Sequence, residues 1–230
     1  MTPAQLRLLV VVNPNASRSG DALPQVSEWF AGRGCATIVI TKEQDDLERI
    51  LKAEGTAADR IVIGGGDGTL SQALPVLLQL KKPVAVLPLG TANDFARTLG
   101  LSGDPLEAAA TALGGREHQI DLGLANGKPY LNVASVGVAS QVIEGQSKEM
   151  KRRWRVLAYA ISLLQAARNL KPFIVEINMD NHPRWTGPVY QVSIGNGRYH
   201  GGGLTVAENA AIDDGLLDLY VVYPGTFWQL

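Results

Sequence analysis

The 230-residue sequence contains one cysteine, three histidines and almost no excess of either charge. A single cysteine excludes an internal disulfide framework, and Cys35 is compatible with a reducing compartment. With 21 Lys and Arg against 22 Asp and Glu side chains, the net charge is −1. Such a chain has no overall field that attracts nucleic acid, so we expect no nucleic-acid partner. The histidines lack the spacing of a zinc site.

Long apolar runs are also absent from the sequence. Nowhere do roughly 18 uninterrupted apolar residues occur, which is the length that a membrane-spanning helix needs. We therefore predict a soluble chain without a transmembrane segment. The N-terminus lacks the basic region, apolar stretch and cleavage site of a secretion signal, which favours a cytoplasmic protein.

The first half of the chain alternates short apolar runs with helical patterns. The apolar runs lie at residues 6–12, 36–41, 60–63 and 84–87, and the helical patterns at 22–32, 45–53, 69–80 and 94–99. This alternation predicts an α/β domain over residues 1–121 with a mostly parallel sheet. Because ligands bind at the carboxyl ends of such strands, the loops that follow them should line one edge.

After residue 121 the pattern changes to apolar runs separated by Asn, Gly and Pro turns. These runs lie at residues 130–138, 173–179, 189–195 and 216–223. They predict a β-rich second domain over residues 122–230. One long amphipathic helical pattern interrupts them at residues 148–169, with a basic, Trp-bearing start. Such a helix either covers a core or lies on a membrane surface.

A glycine-rich turn, with the sequence Gly-Gly-Gly-Asp-Gly-Thr, follows the third predicted strand at residues 64–69. Glycines permit positive φ and close approach of a ligand, and the next helix offers free N–H groups to an anion. A Rossmann fingerprint counted from Gly64 fails because Thr69 replaces the third glycine, and a P-loop fails because no Lys follows. The turn therefore predicts phosphate binding, with an ordinary strand-to-helix turn as the alternative.

Three other segments carry candidate chemistry. In the loop at residues 13–20, Asn13 and Arg18 can hold phosphate oxygens through charge-assisted hydrogen bonds. The segment at 87–96, Leu-Pro-Leu-Gly-Thr-Ala-Asn-Asp-Phe-Ala, follows the fourth strand, where Asn93 and Asp94 can alternatively cap the next helix. Further on, Gly-Asn and Gly-Gly-Gly at 195–203 precede Asp-Gly-Leu-Leu-Asp at 214–218, which is otherwise an ordinary β-turn signal.

Together these four motifs resemble, in order and over residues 6–223, the signatures of bacterial lipid kinases of the diacylglycerol kinase catalytic-domain family. The resemblance implies an N-terminal Rossmann-like parallel-sheet domain of the NAD kinase/diacylglycerol kinase type and a C-terminal β-rich, sandwich-like domain. It implies ATP-dependent transfer of the γ-phosphate to a hydroxyl of a lipid such as diacylglycerol or phosphatidylglycerol. The substrate would be met at the inner membrane surface, in phospholipid biosynthesis.

The resemblance also implies roles for particular residues. It implies that ATP binds at Asn13, Arg18, Thr41, Gly65, Gly66, Asp67, Gly68, Thr69, Leu70, Ser71, Thr91, Asn93 and Asp94. It implies that Asp214 and the carbonyl groups of Ala211 and Leu216 hold a magnesium ion, for which hard oxygen ligands are suited.

The sequence departs from this family in one respect. Bacterial relatives carry a catalytic glutamate in a Leu-Asp-Gly-Glu-like segment beyond the last motif, and no such segment occurs before Leu230. We therefore expect a truncated second domain, with Asp67 as the best catalytic candidate within the chain and exposed core surface that favours self-association. Two alternatives stay open: a non-catalytic ATP-binding fragment, and an NAD kinase, which shares the glycine-rich turn.

Overall fold

The computed structural model describes residues 6–33, 36–41, 46–137, 171–197, 199–200, 204–205 and 210–224. The chain divides into two compact units. The first comprises Met1–Asn132 and Asn196–Leu216, and the second comprises Val133–Gly195 and Leu217–Leu230. The predicted helix at 148–169 and Cys35 lie outside the described residues. The predicted domain boundary between residues 121 and 122 stays a prediction.

A parallel four-stranded sheet forms the centre of the first unit. Its strands are β1 (Leu8–Val12), β2 (Ala36–Ile40), β3 (Arg60–Gly65) and β4 (Val84–Pro88). They lie in the order β2-β1-β3-β4, and each pair is parallel. In this register Val12 lies opposite Gly64, and Gly64 lies opposite Leu87, so these strands end at one edge. The predicted parallel sheet is confirmed.

Helices connect and cover these strands. They are α1 (Ser19–Ala31), α2 (Asp46–Glu54), α3 (Asp67–Leu80), α4 (Asp94–Thr98) and α5 (Pro105–Gly114), with a short 3-10 helix at Gly55–Ala57. The sequence patterns did not predict α5. Its signal is an N-terminal cap: the Asp104 carboxylate accepts hydrogen bonds from the amides of Leu106 and Glu107, and a proline follows it. None of the described helices is long and apolar enough to cross a bilayer.

The core of the first unit lies on both faces of the sheet. All residues of β1 are buried, and successive side chains point to opposite faces. Leu9 and Val11 belong to a cluster that includes residues of α2 and α3. Val10 belongs instead to the cluster that contains Phe30 of α1 and Ala109 of α5. This burial fixes the sheet, and so the positions at which its strands end.

The rest of the described chain is β-rich. Its strands are β5 (Gly123–Ala125), β6 (Lys128–Tyr130), β7 (Val133–Gly137), β8 (Phe173–Ile177), β9 (Trp185–Val189), β10 (Gln191–Gly195), β11 (Tyr199–His200), β12 (Leu204–Thr205) and β13 (Asp218–Val222). In the second unit, β13, β10 and β7 form an antiparallel sheet in that order, and β8 pairs antiparallel with β9. The predicted β-rich second part is confirmed.

The apolar run at residues 130–138 does not form one strand: its described part is divided between β6 and β7. The run divides because its two parts pair with different strands: β6 pairs antiparallel with β5, and β7 pairs antiparallel with β10. The amide of Asn196 donates to the carbonyl of Asn132 at 2.6 Å, at the next position of the β7–β10 register, so this bond continues that pairing.

Candidate functional site

Three loops meet at the carboxyl edge of the parallel sheet, and backbone hydrogen bonds join them. The amide of Asn13, just after β1, donates to the carbonyl of Gly64 in β3 at 2.9 Å. The amide of Leu89, after β4, donates to the carbonyl of Gly65 at 3.0 Å. The carbonyl of Leu89 accepts a hydrogen bond from the backbone amide of Arg18 at 2.9 Å. The loops that the sequence placed at one edge are therefore in direct contact.

Side chains add polar contacts between the same loops. The Asn13 side-chain amide donates to the Thr69 hydroxyl at 3.2 Å. The Thr91 hydroxyl donates to that of Ser17 at 3.1 Å, and the Ser19 hydroxyl donates to the carbonyl of Asn13 at 2.7 Å. Ser17 and Ser19 were not assigned to the site from the sequence, although both lie in the candidate loop. Hydroxyl and amide groups thus line the edge at which the sequence predicts phosphate binding.

Two glycines allow the loops to approach this closely. A Cβ atom added to Gly90 would lie 2.4 Å from the Cα atom of Gly66 and 2.8 Å from Oδ1 of Asn93. A Cβ atom on Gly65 would lie 2.5 Å from the hydroxyl of Thr69. Real Cβ atoms do not approach other heavy atoms this closely, so Gly65 and Gly90 are required for the packing of the two turns.

Asp67, the candidate catalytic carboxylate, binds the start of α4. Its Oδ2 atom accepts a hydrogen bond from the backbone amide of Asp94 at 3.0 Å. Its Oδ1 atom accepts one from the amide of Phe95 at 2.9 Å. A negative charge at these two amides also interacts favourably with the positive end of a helix. The carboxylate therefore connects the glycine-rich turn to the loop that follows β4.

Asn93 closes the loop after β4 but does not cap α4 with its side chain. Its backbone is left-handed, with φ of 51°, and its side chain makes no capping hydrogen bond. Instead its Nδ2 atom donates to the carbonyls of Pro88 and Gly90, at 3.2 and 2.9 Å, and its Oδ1 atom accepts from the amide of Gly90 at 2.9 Å. The alternative prediction that the Asn93 side chain caps the helix is wrong, because this side chain forms its hydrogen bonds with the preceding residues Pro88 and Gly90.

The remaining predicted nucleotide-binding residues have different surroundings. The exposed Arg18 guanidinium donates to the carbonyl of Gly103 at 2.8 Å. Thr41 is buried, and its amide and hydroxyl both donate to the carbonyl of Val12. Leu70 is a core residue with 3% of its surface exposed. Ser71 is exposed on α3. Arg18 therefore reaches solvent at the site, whereas the side chains of Thr41 and Leu70 support the fold.

The predicted magnesium ligands lie on a turn that Asp121 holds in place. The amide of Gly215 donates to Oδ2 of Asp121 at 2.6 Å, and the amide of Asp121 donates to the carbonyl of Ile212 at 2.7 Å. Within the turn, Oδ1 of Asp214 accepts from the amide of Leu216 at 3.0 Å. Gly215 has φ of 74°, which favours glycine. Asp121 was not assigned to the site from the sequence.

The chemistry of this turn fits a hard cation. Asp214 is exposed, and the backbone carbonyls of Ala211 and Leu216 lie in the same short turn. Nearby, the buried side chain of Asn196 donates to the carbonyl of Asp121 at 2.7 Å, which gives the Gly-Asn motif a structural role. No cluster of three or more His, Cys, Asp or Glu side chains suited to a metal occurs among the described residues. The predicted magnesium ligands differ from such a cluster, because they comprise one carboxylate and two backbone carbonyls.

A parallel sheet that carries a glycine-rich turn, a helix N-terminus and hydroxyl side chains at its carboxyl edge is typical of phosphate-binding α/β proteins. The chain belongs to the diacylglycerol kinase catalytic-domain family. Residues 7–125 match the family described as "Diacylglycerol kinase catalytic domain". Residues 132–229 match the family described as "YegS C-terminal NAD kinase beta sandwich-like domain". The resemblance inferred from the motifs is confirmed.

Individual relatives agree with this assignment. The chain is 38% identical over 221 residues to the "Probable lipid kinase YegS-like" of Pseudomonas aeruginosa (strain UCBPP-PA14), a match that covers 94% of this chain and 71% of that protein. The protein of the same name from Pseudomonas putida is 37% identical over 220 residues, covering 94% and 74%. A crystal structure of a diacylglycerol kinase from Bacillus anthracis str. Sterne has a TM-score of 0.75 at 27% identity, covering 99% of this chain and 80% of that one.

Proposed function

We propose that this member of the lipid kinase family is an ATP-dependent lipid kinase that phosphorylates a hydroxyl of diacylglycerol, phosphatidylglycerol or a related lipid. The observation that carries the proposal is the contact of the glycine-rich turn with the loop after β4, which brings Thr69 and Thr91 to the same sheet edge as Arg18. An ATP phosphate chain needs this combination of backbone amides, hydroxyls and a cation.

Each part of the edge has a role in this proposal. The amides of Thr69 and Leu70 already donate to the carbonyl of Gly66, so the amides of Asp67 and Gly68 at the first turn of α3 are the ones to meet phosphate oxygens. The hydroxyls of Thr69 and Thr91 and the guanidinium of Arg18 add side-chain donors. Asn13, Asn93 and Asp94 hold the loops that present these donors. The other members of the predicted site are Thr41, Gly65, Gly66, Leu70 and Ser71.

The reaction itself requires little covalent chemistry from the chain. The lipid hydroxyl oxygen forms a bond to the γ-phosphorus atom as the bond to the bridging oxygen of ADP breaks, and the hydroxyl loses its proton to a base or to water. Positioning and charge neutralisation therefore dominate catalysis. Magnesium, held by Asp214 and the carbonyls of Ala211 and Leu216, would supply positive charge and order this region when bound.

The acceptor lipid determines where the enzyme works. Relatives are named lipid kinases, and a lipid hydroxyl is met at a membrane surface. We propose a cytoplasmic enzyme that acts at the inner surface of the membrane, with residues 1–121 binding the nucleotide and residues 122–230 forming the second domain. Phospholipid biosynthesis is the process that such a reaction serves.

Transfer of labelled phosphate tests the proposal. The purified chain is incubated with γ-labelled ATP, Mg²⁺ and mixed micelles of diacylglycerol or phosphatidylglycerol, and in a parallel reaction with NAD. We expect a labelled lipid and no labelled NAD. Label on NAD alone would favour the NAD kinase alternative. Calorimetric binding of ATP without transfer to either lipid would favour the non-catalytic alternative.

A matched pair of variants connects activity to the site. Thr91→Val removes the hydroxyl that donates to Ser17, and we expect it to weaken ATP binding by roughly 5–10-fold, the value of about one hydrogen bond. Thr111→Val removes a hydroxyl that donates to the carbonyl of Glu107 within α5. It should leave ATP binding unchanged. Equal effects of the two substitutions would place the nucleotide elsewhere.

A further inference from the structure

The contact between the Asp67 carboxylate and the start of α4 has a consequence for the reaction. We infer that Asp67 is a positioning residue: its carboxylate holds the loop after β4 over the glycine-rich turn, and it does not remove the proton from the acceptor hydroxyl. The inference rests on the proposed kinase function, because it assigns a role within that site. Its structural part, the connection between the two loops, can be measured without any activity.

Helix α4 depends on Asp67 because it lacks a local cap. The first amides of a helix have no partner within the helix and are usually satisfied by the side chain of the preceding residue. That residue is Asn93, whose side chain bonds to Gly90 and Pro88 instead. Asp67, which lies 27 residues before Asp94, satisfies the amides of Asp94 and Phe95 in its place. This is a helix cap supplied from another loop.

Removal of a proton from the lipid would break this cap. A general base accepts the proton on a carboxylate oxygen, and both oxygens of Asp67 accept backbone hydrogen bonds. The neutral acid would be a weaker acceptor and would turn one oxygen into a donor that faces an N–H group. Asp67 is also the first residue of α3, so its negative charge lies at two helix N-termini, where an anion is favoured. The cap therefore uses both carboxylate oxygens of Asp67 as hydrogen-bond acceptors.

The cap also controls the position of Thr91. The loop after β4 is attached to the glycine-rich turn at both ends: the amide of Leu89 donates to Gly65 before Thr91, and Asp67 binds the amides of α4 after it. If the second attachment is lost, the segment at residues 90–93 is no longer held at the end that enters α4, although the Leu89–Gly65 bond and the Gly66–Gly90 contact remain. The Thr91 hydroxyl, which we place among the phosphate ligands, is then held less firmly in position.

Hydrogen exchange and ATP binding test the inference in one set of variants. Asp67→Ala should increase amide exchange at residues 94 and 95, since the hydrogen bonds of these two amides are lost. It should also weaken ATP binding by at least roughly 10-fold, because the loop that carries Thr91 loses its attachment to Asp67. Asp104→Ala is the matched control because the Asp104 carboxylate also accepts hydrogen bonds from two backbone amides, at the start of α5. It should increase exchange at residues 106 and 107 only and change the ATP dissociation constant less than about twofold.

Steady-state kinetics separate positioning from proton removal. Asp67→Asn keeps one neutral acceptor oxygen and is the milder variant if Asp67→Ala does not fold. We expect it to raise the KM for ATP while the shape of the plot of kcat against pH stays that of the wild type. A loss of kcat of roughly 1000-fold with unchanged ATP affinity, and loss of the acidic limb of that plot, would identify Asp67 as the base and overturn the inference.

The two proposals fail in different ways. If the wild type transfers phosphate to no lipid, the proposed function fails, and exchange at residues 94 and 95 still decides whether Asp67 holds α4. If exchange at those two amides is the same in Asp67→Ala as in the wild type, the inference fails even when the wild-type chain is an active lipid kinase.

Discussion

Gly66 and Gly90 pack backbone to backbone, so that a Cβ atom on Gly90 would lie 2.4 Å from the Cα atom of Gly66. One glycine belongs to the turn after β3 and the other to the loop after β4. In each motif considered by itself, the glycine is explained by the close approach of a ligand to the backbone. Their contact gives a second reason, because a Cβ atom on Gly90 would overlap the backbone of Gly66, and a Cβ atom on Gly66 would lie only 3.1 Å from the Cα atom of Gly90.

Gly90→Ala should therefore lower both stability and ATP affinity. The new methyl group meets backbone atoms, which cannot move as the end of a flexible side chain can, so the two loops must separate. We expect a loss of stability of about 1–3 kcal/mol, as for other overpacked sites, and at least roughly 10-fold weaker ATP binding when the pocket opens. Thermal unfolding and calorimetry measure the two effects.

The control for this substitution is Gly114→Ala, because a Cβ atom at Gly114 meets nothing within 4 Å. Gly114 is the last residue of α5. The control should leave ATP affinity unchanged and stability equal or slightly higher. A Gly90→Ala protein with wild-type stability would contradict the close packing of the loops.

Asn93 combines a left-handed backbone with three side-chain hydrogen bonds, and substitutions can separate the two contributions. Asn93→Ala loses the bonds and strains the backbone, with an expected cost of about 2–4 kcal/mol. Asn93→Gly loses the same bonds without the strain and should cost about 1 kcal/mol less. Chemical denaturation of the two variants measures this difference.

Asn126 provides a comparison for the backbone part, because it also has φ of 51° and lies between β5 and β6. Asn126→Ala should cost about 1–2 kcal/mol from strain and leave ATP binding unchanged. Were Asn93→Ala no more destabilising than Asn126→Ala, the hydrogen bonds of Asn93 would contribute nothing to the loop.

Magnesium should stabilise the chain through Asp214. A cation that binds only the folded state raises the unfolding temperature, and the rise grows with the logarithm of its concentration once this exceeds the dissociation constant. We expect Mg²⁺ to raise the unfolding temperature of the wild type relative to EDTA, and Asp214→Asn to abolish this rise. Asp213→Asn, at the neighbouring exposed position, should retain it. Loss of the rise in both variants would indicate a general effect of charge in this turn rather than a ligand role for Asp214.

The ion pair between Arg7 and Asp59 predicts a pH dependence of stability. The side-chain hydrogen bond from Arg7, followed by the bond from its backbone amide, lowers the pKa of Asp59 from 3.8 to about 2. A carboxyl whose pKa is lower in the folded state stabilises the fold above its unfolded pKa, and this contribution is lost as the pH falls through the folded pKa. The contribution of Asp59 should therefore be complete above about pH 4 and disappear near pH 2.

This contribution is small because the pair is exposed, with 68% of the Arg7 side chain and 39% of the Asp59 side chain accessible to solvent. The measurement is the difference in unfolding temperature between the wild type and Asp59→Asn, followed from neutral to acidic pH. Arg7→Gln should reduce this pH dependence without abolishing it, since it removes the side-chain pair but keeps the bond from the backbone amide of residue 7 to Asp59. A difference that does not change with pH would assign the effect of Asp59→Asn to something other than the pair.

Local patterns predicted the centre of the fold and the edge that carries the site. The apolar run of β3 and the helical spacing of α3 are confirmed, because both depend on periodic burial that adjacent residues encode. The sequence also placed Asn13, Thr69 and Thr91 at one edge, since parallel strands end together. Helix α5 was missed, although Asp104 and the proline after it form a recognisable start.

Contacts between distant residues were beyond prediction from local pattern. The bonds of Asp67 to the start of α4 join residues 27 and 28 positions apart, and the Thr91–Ser17 contact joins residues 74 apart. No periodicity encodes such pairs. The break between β6 and β7 has the same origin, because β7 pairs with β10, a strand that is distant in sequence, whereas β6 pairs with its neighbour β5.

The parallel sheet, the order of its loops and the family of the chain can all be inferred from the amino-acid sequence, because burial periodicity and short motifs are local properties. The contacts that those motifs make with one another depend on the tertiary structure. It places Gly66 against Gly90, turns Asn93 back along its own loop and attaches Asp67 to α4. Such relationships arise where separate strand ends converge, since the geometry of the sheet, rather than distance along the chain, sets which groups meet.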